Sequence, residues 1–413
     1  MQTTTHNNIP PGYKYSVVGI IPQEWEVKRI QEICKVDAKS LSAKTSPNYE
    51  FEYISLSDVD SDSFDISTSH QIFRTAPSRA RRIVSKGDVV ISTVRPNLRG
   101  FFLAKEDKKD LIASTGFAVL TPTECDSQYL LSCFFSQIVS KQFYSLVVGS
   151  NYPAVNSSDV AKLKLAVPPL AEQRKIAEIL SVWDEAIEKQ SRLIEKLELR
   201  KRALMQRLLT GRIQLPGFTT PWQKVKLGEI CEEYILRNTE DNDYIVLSCT
   251  KYNGLVSSLD YFGKQIFSDN LRTYKVVPKY HFAYATNHIE EGSIGYQGCY
   301  DYALISPMYT VFKADDTKVD NYFLYTLLKT PLMIYNYQSR IEGSIDRRGG
   351  LRWDAFAGIT IKLPYLPEQT AIAEVLKAAD NEISTQLKKL DALRLQKRGL
   401  MQQLLTGKTR VKI

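Results

Sequence analysis

Residues 168–211 read PPLAEQRKIAEILSVWDEAIEKQSRLIEKLELRKRALMQRLLTG, and residues 364–407 read PYLPEQTAIAEVLKAADNEISTQLKKLDALRLQKRGLMQQLLTG. An offset of 196 residues aligns Glu172-Gln173 with Glu368-Gln369 and brings both stretches to the same Leu-Leu-Thr-Gly ending. The two stretches are therefore copies of one segment, and the chain contains an internal duplication.

Apolar residues recur in both copies in alternating steps of four and three, which is the 3.5-residue period of a coiled-coil seam. The seam positions are Ile176, Leu180, Trp183, Ile187, Gln190, Ile194, Leu197, Lys201, Leu204 and Leu208 in the first copy, and Ile372, Leu376, Ala379, Ile383, Gln386, Leu390, Leu393, Lys397, Leu400 and Leu404 in the second. The period predicts two helices of about 40 residues, each roughly 60 Å long at 1.5 Å per residue. The alternative is that each helix packs only on its own neighbouring domain.

The polar seam residues indicate how two such helices would pair. In a centred antiparallel pair, Trp183 would lie near Lys397, and Lys201 would lie near the small Ala379. A parallel pair would instead stack Lys201 on Lys397, which places like charges in the seam. We therefore expect the helices to run antiparallel.

Composition places few other limits on the protein. The 413 residues are 43% hydrophobic and 24% charged, as in ordinary globular proteins, and they suffice for two or three domains. The six cysteines form no C-x-x-C pair, so we expect free thiols in a reducing cytoplasm. No long apolar run predicts a membrane span. The net charge of +8 permits a polyanionic partner.

The duplication also covers the start of each half. Trp25 is followed by VKRIQEIC and Trp222 by VKLGEIC, after a short spacer. We therefore expect a first globular domain over residues 1–167 with a flexible leader at 1–20, and a helix at 168–213. A second domain is expected at 214–363 and a second helix at 364–413.

Each domain shows a mixture of strand and helix signals. The runs 86–94 and 111–122 predict strands, and residues 128–147 predict a helix. The second domain follows the same plan, with residues 279–295 in place of the first run and its following turn. Residues 342–353 stand in place of the loop 149–153. The segments that enter and leave each domain are similar in the two halves, while the loops differ. This is expected for two sites that recognise different targets.

Catalytic motifs are poor. The four histidines lack metal-ligand partners at suitable spacing, so no metal site is expected. Asp88, Glu106 and Lys108 loosely match the acidic and lysine set of metal-dependent nucleases, but the second half has His281 in the place of Asp88. We expect no catalytic residues and no cofactor in this chain.

Binding signals are stronger, because arginine and asparagine recognise guanine and adenine edges while arginine and lysine neutralise phosphates. The candidate DNA-binding residues are Arg74, Arg79, Arg81, Arg82, Arg95, Asn97, Arg99, Asn151, Tyr152, Lys251, Asn253, Arg272, Asn287, His288, Arg347 and Arg348. For a single residue the alternative is a solvated basic surface.

Two divergent inserts, the globular domains of the two halves, are each followed by P-x-L-x-E-Q-x-x-I-A-x-x-L and a helix that ends near L-L-T-G. This arrangement resembles the specificity subunit of type I restriction–modification systems. The resemblance covers nearly the whole chain. It implies an α+β fold in which two α/β target recognition domains are joined by two long antiparallel coiled-coil helices with pseudo-two-fold symmetry. It also implies double-stranded DNA, methyltransferase (modification) subunits and an endonuclease/translocase (restriction) subunit as partners, and no membrane.

Two other functions remain open from the sequence: a stand-alone DNA-binding regulator or scaffold, and a structural adaptor without nucleic acid. The last leaves the arginine and asparagine loops unexplained. If the chain is a specificity subunit, its DNA target is expected to be bipartite and asymmetric. Arg95, Asn97 and Arg99 would then belong to one half-site, and Arg347 and Arg348 to the other.

Overall fold

A computed structural model describes residues 9–60, 66–106, 110–146, 154–341 and 350–413. The chain forms two compact units, Met1–Arg192 with Leu387–Ile413, and Leu193–Gln386. Each unit contains one globular domain and parts of both long helices.

The described residues of the first unit form four small sheets. Its elements are β1 (Tyr13–Ser16), β2 (Gly19–Pro22), β3 (Glu26–Arg29), α1 (Ile30–Ile33), β4 (Cys34–Val36), β5 (Glu50–Ile54), β6 (Ser69–Ile72), β7 (Ala80–Val84), β8 (Val89–Ser92), β9 (Phe101–Leu103), β10 (Leu111–Ser114), β11 (Phe117–Pro122), α2 (Ser127–Phe134), α3 (Gln137–Leu146), α4 (Ser157–Lys162), β12 (Lys164–Val167) and the start of α5 (Leu170–Leu208). The two larger sheets have the strand orders β6-β5-β10-β7 and β4-β11-β8-β9, and β3 pairs with β12. Only β5 and β10 run parallel within these sheets.

The second unit repeats this topology for every sheet except the hairpin β1–β2. Its elements are β13 (Gln223–Lys226), α6 (Leu227–Ile230), β14 (Cys231–Glu233), β15 (Val246–Thr250), β16 (Gly254–Ser257), α7 (Ser258–Phe262), β17 (Lys275–Pro278), β18 (Phe282–Ala285), β19 (Ile294–Tyr296), β20 (Tyr302–Ile305), β21 (Tyr309–Ala314), α8 (Asn321–Leu328), α9 (Pro331–Gln338), α10 (Trp353–Ala357), β22 (Thr360–Leu363) and the start of α11 (Leu366–Leu404). The sheets β16-β15-β20-β17, β14-β21-β18-β19 and β13-β22 match those of the first unit, and β15–β20 is again a parallel pair. The mixed fold and the duplication are confirmed.

Two predicted elements are divided in the structure. The run 111–122 forms β10 and β11, which belong to different sheets. The chain turns between them, where the Gly116 amide bonds to Ser114 Oγ at 3.2 Å. The helix predicted over 128–147 is broken between α2 and α3, because Ser136 bonds back to the Cys133 carbonyl and its Oγ accepts the Val139 amide. The predictions of one strand over 111–122 and one helix over 128–147 were therefore wrong.

The flexible leader expected at residues 1–20 is wrong for residues 13–20. These residues form most of the antiparallel hairpin β1–β2, whose turn uses Gly19 at φ +114°. Tyr13 Oη donates to the Gly407 carbonyl at 2.8 Å, so the hairpin is fixed to the end of α11. The topology of the second unit has no counterpart of this hairpin among its described residues.

The long helices pair antiparallel in each unit, as predicted. In the first unit Arg410, just beyond α11, bonds to Glu172 in the first turn of α5, and Lys397 pairs with Asp184 further along. In the second unit Lys201 pairs with Asp380. None of the twenty seam side chains is exposed. The sequence prediction overlooked the two aspartates, although the 196-residue offset relates one to the other.

A glutamine that both copies share at the helix start explains how each domain is attached to its long helix. Gln173 Nε2 donates to the Pro168 carbonyl at 2.9 Å, and its Oε1 accepts the Asp126 amide at 2.9 Å. Gln369 makes the same two bonds, to Pro364 and from Asp320. Both glutamines are buried, and Asp126 and Asp320 are the N-caps of α2 and α8. One amide side chain therefore fixes each long helix to the helix of its domain.

The cores are apolar and the thiols are free. The largest cluster of each unit combines strands, domain helices and one end of each long helix. All six cysteines are unpaired, as expected. Burial raises the pKa of the Cys34, Cys133, Cys231 and Cys249 thiols to about 12. In the part of the chain that the structure describes, no helix combines the length and apolar character needed to cross a membrane.

Candidate nucleic-acid interface

The predicted residues Arg95, Asn97 and Arg99 lie on one tight turn that follows β8. A 3-10 turn at Pro96–Leu98 forms its centre, and Arg95 and Arg99 flank it at φ 49° and 55°. Left-handed backbone at two arginines is uncommon and energetically unfavourable, so such positions often mark functional turns. Pro96 is buried while Asn97 and Arg99 are exposed. The turn therefore presents its polar side chains to solvent.

Thr93 anchors this turn to its neighbours. Its amide and its Oγ1 both donate to the Gly116 carbonyl at 2.8 Å, and its own carbonyl accepts the Val155 amide at 2.9 Å. The chain that leads into Val155 carries the predicted residues Asn151 and Tyr152, which lie outside the described residues. Thr93 thus holds the start of the arginine turn beside Val155.

The second unit builds the same anchored turn with different side chains. Thr286 accepts the Leu351 amide on its carbonyl at 3.0 Å and donates its hydroxyl to the Met308 carbonyl. Asn287 and His288 follow it, both exposed, and lead into a 3-10 turn at Ile289–Glu291. The predicted correspondence between the two inserts is therefore confirmed at this turn. The predicted residues Arg347 and Arg348 lie outside the described residues.

Thr93 and Thr286 were overlooked by the sequence prediction. Both follow the last residue of a buried strand, and both are threonines in otherwise divergent segments. The signal available in the sequence was a threonine at the same position of two otherwise divergent inserts.

The other candidate arginines of the first domain differ in the contacts that their side chains make within the protein. Arg79 is exposed, and its carbonyl accepts the Thr115 amide at 2.8 Å, next to the Thr93 anchor. Arg74 is exposed and donates to Asn48 Oδ1 at 3.2 Å. The structure thus brings Arg79 to the same end of the sheets as the arginine turn.

Arg81 and Arg82 are engaged within the domain. Arg81 donates to the Ala80 carbonyl at 2.7 Å and its guanidinium lies 5.0 Å from the centre of the Phe73 ring. Arg82 Nη2 lies 2.8 Å from Asp37 Oδ2. These contacts give both side chains a structural role, and their contact with DNA stays a prediction.

In the second domain, Lys251 and Asn253 lie on the exposed turn between β15 and β16. Arg272 lies on a separate segment, where its Nε contacts Asp241 Oδ2 at 3.1 Å with both side chains largely exposed. A cavity of about 320 Å³ opens beside Asn287 and His288. Its wall also includes Ser248, Ser306, Met308 and Tyr309.

Asp88 and His281 occupy equivalent turns, as the sequence indicated, but play different parts. Gly87 and Tyr280 precede them at φ 88° and 66°. Asp88 is buried and accepts the Ser85 amide and the Thr121 hydroxyl, each at 2.7 Å. These bonds explain Asp88 as a turn-forming residue.

His281 Nδ1 lies 3.1 Å from the Lys279 carbonyl, and its ring meets the Tyr234 ring edge-on at 4.7 Å between centroids. Burial lowers the pKa of His281, and the hydrogen bond to the Lys279 carbonyl opposes this shift. Nearby Lys313 lowers the pKa and Asp316 raises it, both to a smaller extent. The imidazole is therefore neutral near pH 7.

One group of potential metal ligands occurs among the described residues. His288, Glu290 and Glu291 each place one ligand atom within 4.8 Å of the others. The sequence prediction that no histidine has ligand partners overlooked these carboxylates. Since exposed acidic groups often lie together without an ion, the group does not assign a metal site.

Comparison with known proteins agrees with this geometry. The family described as "Type I restriction modification DNA specificity domain" matches residues 22–199 and 220–392. Two specificity subunits of Methanocaldococcus jannaschii, the putative MjaX subunit and the MjaVIII subunit, are each 26% identical. The alignments cover 97% of this chain and 97% of MjaX, and 95% of this chain and 94% of MjaVIII.

A chain from a solved structure on complex assembly and conformational transition of the type I restriction–modification system has the same fold. Its TM-score is 0.63 at 23% identity, over 94% of this chain and 99% of that one. The family match covers both domains and much of both helices, in the same two copies that the fold shows. The chain therefore belongs to the type I restriction–modification DNA specificity family.

Proposed function

We propose that this chain is the DNA-recognition subunit of a type I restriction–modification complex and that its two domains recognise different half-sites of a bipartite, asymmetric target. One observation carries the proposal. The same threonine-anchored turn occurs in both units, while its exposed polar residues are Arg95, Asn97 and Arg99 in one and Asn287, His288 and Glu291 in the other. Different side chains on a common frame recognise different bases.

The chemistry of the two turns suits base recognition. Arginine makes paired hydrogen bonds to guanine and asparagine to adenine in the major groove. The net charge of +8 and the exposed Arg74 and Arg79 supply phosphate contacts, which contribute affinity without sequence preference.

The partners follow from the same proposal. Methyltransferase subunits and a restriction subunit would carry out methylation and cleavage in the cytoplasm, and this chain would direct them to the target without a cofactor of its own. The names of the relatives and the subject of the solved complex support this arrangement.

Mapping of methylated bases tests the target. DNA from cells that express this chain with its methyltransferase should show two unlike half-sites separated by an unspecified spacer. A single uninterrupted motif or a perfect palindrome would refute the proposal.

Paired variants then assign the half-sites. Asn97→Ala with Arg99→Ala should relax base preference in one half-site only, and Asn287→Ala with His288→Ala in the other. Each lost base contact should reduce discrimination by about 1–3 kcal/mol. Lys196→Ala is the control, because Lys196 is an exposed basic residue of α5 that is not among the candidate DNA-binding residues. Equal relaxation of both half-sites by either double variant would contradict the assignment.

A further inference from the structure

Lys329 occupies an unusual position in the second domain. It is the residue after α8, and its Nζ donates to the Lys251 carbonyl at 2.7 Å and to the Gly292 carbonyl at 3.0 Å. The Tyr325 ring centre lies 5.9 Å from the same atom. Burial lowers the pKa of this lysine. A partly buried ammonium group is costly to desolvate unless its donors are used, and here they bind two backbone carbonyls.

The two carbonyls belong to different turns. Lys251 opens the turn between β15 and β16, which also presents Tyr252, 82% exposed, and Asn253. Gly292 closes the 3-10 turn that follows Asn287 and His288. One ammonium group therefore connects the two turns that carry four of the candidate DNA-binding residues of this domain.

Close packing holds the same two turns together near their bases. A Cβ on Gly295, in β19, would overlap the Leu255 backbone in β16. A Cβ on Gly254 would lie 2.8 Å from Tyr325 Oη. Strands that only glycine allows to approach this closely fix one end of the arrangement, and Lys329 fixes the other.

The first domain has a phenylalanine at the position equivalent to Lys329. Phe135 is the residue after α2, as Lys329 is after α8, and its ring lies 5.6 Å from that of Phe101. An aromatic side chain at this position packs against the core but cannot bind two carbonyls. The connection through Lys329 is thus specific to the second domain.

We propose that Lys329 is a positioning residue for base recognition by the second domain, because it sets the distance between the Lys251–Asn253 turn and the Asn287–His288 turn. This inference rests on the proposed function. Because its Nζ binds the two carbonyls, Lys329 would act through the side chains that it aligns rather than by contacting DNA itself. Its effect should therefore appear in specificity at one half-site rather than in affinity for DNA in general.

The test compares Lys329→Met, which keeps the side-chain length without donors, with Lys329→Arg, which keeps charge and donors. Lys275→Met is the matched control, because Lys275 is also a partly buried lysine on one carbonyl, that of Tyr309, outside both turns. The purified full chain is titrated with the matched duplex, with duplexes altered in either half-site, and with a scrambled duplex. Hydrogen exchange of the α8 amides reports folding.

We expect Lys329→Met to lose about tenfold to hundredfold discrimination at the second half-site, with the first half-site and binding to scrambled duplex unchanged. Lys329→Arg should recover part of the loss, and Lys275→Met should discriminate like the parent. Unchanged discrimination at the second half-site in Lys329→Met would overturn the inference while leaving the proposed function intact. So would an equal loss at both half-sites with faster exchange in α8. A parent chain that discriminates at neither half-site would overturn the proposed function, and the inference with it.

Discussion

Arg410 holds the carboxylate of Glu172 with two hydrogen bonds, from Nε at 2.8 Å and from Nη2 at 2.9 Å. The indole nitrogen of Trp25 donates a third bond to the same carboxylate at 3.0 Å. Glu172 is fully buried, so these three donors compensate a charge that would otherwise be costly. The joint between the first domain and the long helices is therefore a closed polar cluster.

The equivalent joint of the second unit lacks this closure. Gln214 stands 196 residues before Arg410, and its Nε2 reaches Glu368 Oε2 only at 3.4 Å. Glu368 is buried, and neither its Oε1 nor the indole nitrogen of Trp222 has a hydrogen-bond partner among the described residues. The two joints share a sequence motif but differ in how well their charge is satisfied.

Giving each joint the residue of the other, with Arg410→Gln and Gln214→Arg, should change the stability of the two joints in opposite directions. Arg410→Gln should destabilise the first joint by roughly 2–3 kcal/mol, below the usual cost of breaking a fully buried pair because Arg410 is partly exposed. Gln214→Arg should stabilise the second joint by supplying the missing donors. Hydrogen exchange of the amides in the first turns of α5 and α11 measures each joint separately. Slower exchange in the first joint of Arg410→Gln, or faster exchange in the second joint of Gln214→Arg, would contradict this account.

Reversing both charges of a seam ion pair should keep most of its contribution to stability, whereas reversing only one should not. Lys397→Asp places two acids together at Asp184 and should lower the melting temperature, whereas Asp184→Lys combined with Lys397→Asp should restore most of it. We expect a coupling energy of about 1 kcal/mol, typical of partly exposed pairs. Lys201 and Asp380 offer the same cycle in the second unit, where Asp380 also accepts the Tyr322 hydroxyl. Additive effects in both cycles would show that the lysines act independently of the aspartates.

His281 should make the second domain sensitive to mild acid. Its pKa in the folded protein lies below the ordinary value of 6.5, so the unfolded chain binds the proton more readily. Stability is therefore full above about pH 6.5 and falls as the pH drops towards the folded pKa. His281 Nε2 is buried without a partner, so a proton there would have no acceptor among the described residues.

The variant His281→Asn keeps a donor for the Lys279 carbonyl but does not titrate. Urea unfolding monitored between pH 7.5 and about pH 5 should show a smaller loss of stability in the variant than in the parent. Identical pH profiles would show that other groups cause the acid sensitivity.

The long helices should set the spacer between half-sites. One heptad added after Gln190 and one after Gln386 keep the seam in phase and lengthen each helix by about 10 Å. At about 3.4 Å per base pair, this adds up to roughly three base pairs to the preferred spacer, with weaker binding because the added pairs also rotate one half-site. Selection from duplexes with graded spacers measures the change. The same spacer for parent and variant, or new half-site bases, would contradict it.

The sequence by itself determined the duplication, the two long helices and their antiparallel direction. The seam period and the placement of Lys201 and Lys397 suffice for this, because a long helix buries a continuous stripe whose spacing is written in consecutive residues. The resemblance to the specificity family rested on the same local motifs. Both follow from residues close together in the chain.

Only the tertiary structure decided how the candidate residues are grouped. It separated the engaged Arg82 from the exposed Arg99, joined Lys251 to Gly292 through Lys329, and left Glu368 less well satisfied than Glu172. These outcomes depend on partners from 37 to 238 residues away along the chain, such as Arg410 for Glu172. A side chain's partner at that range is fixed by sheet order and packing, and a pattern of neighbouring residues does not contain that information.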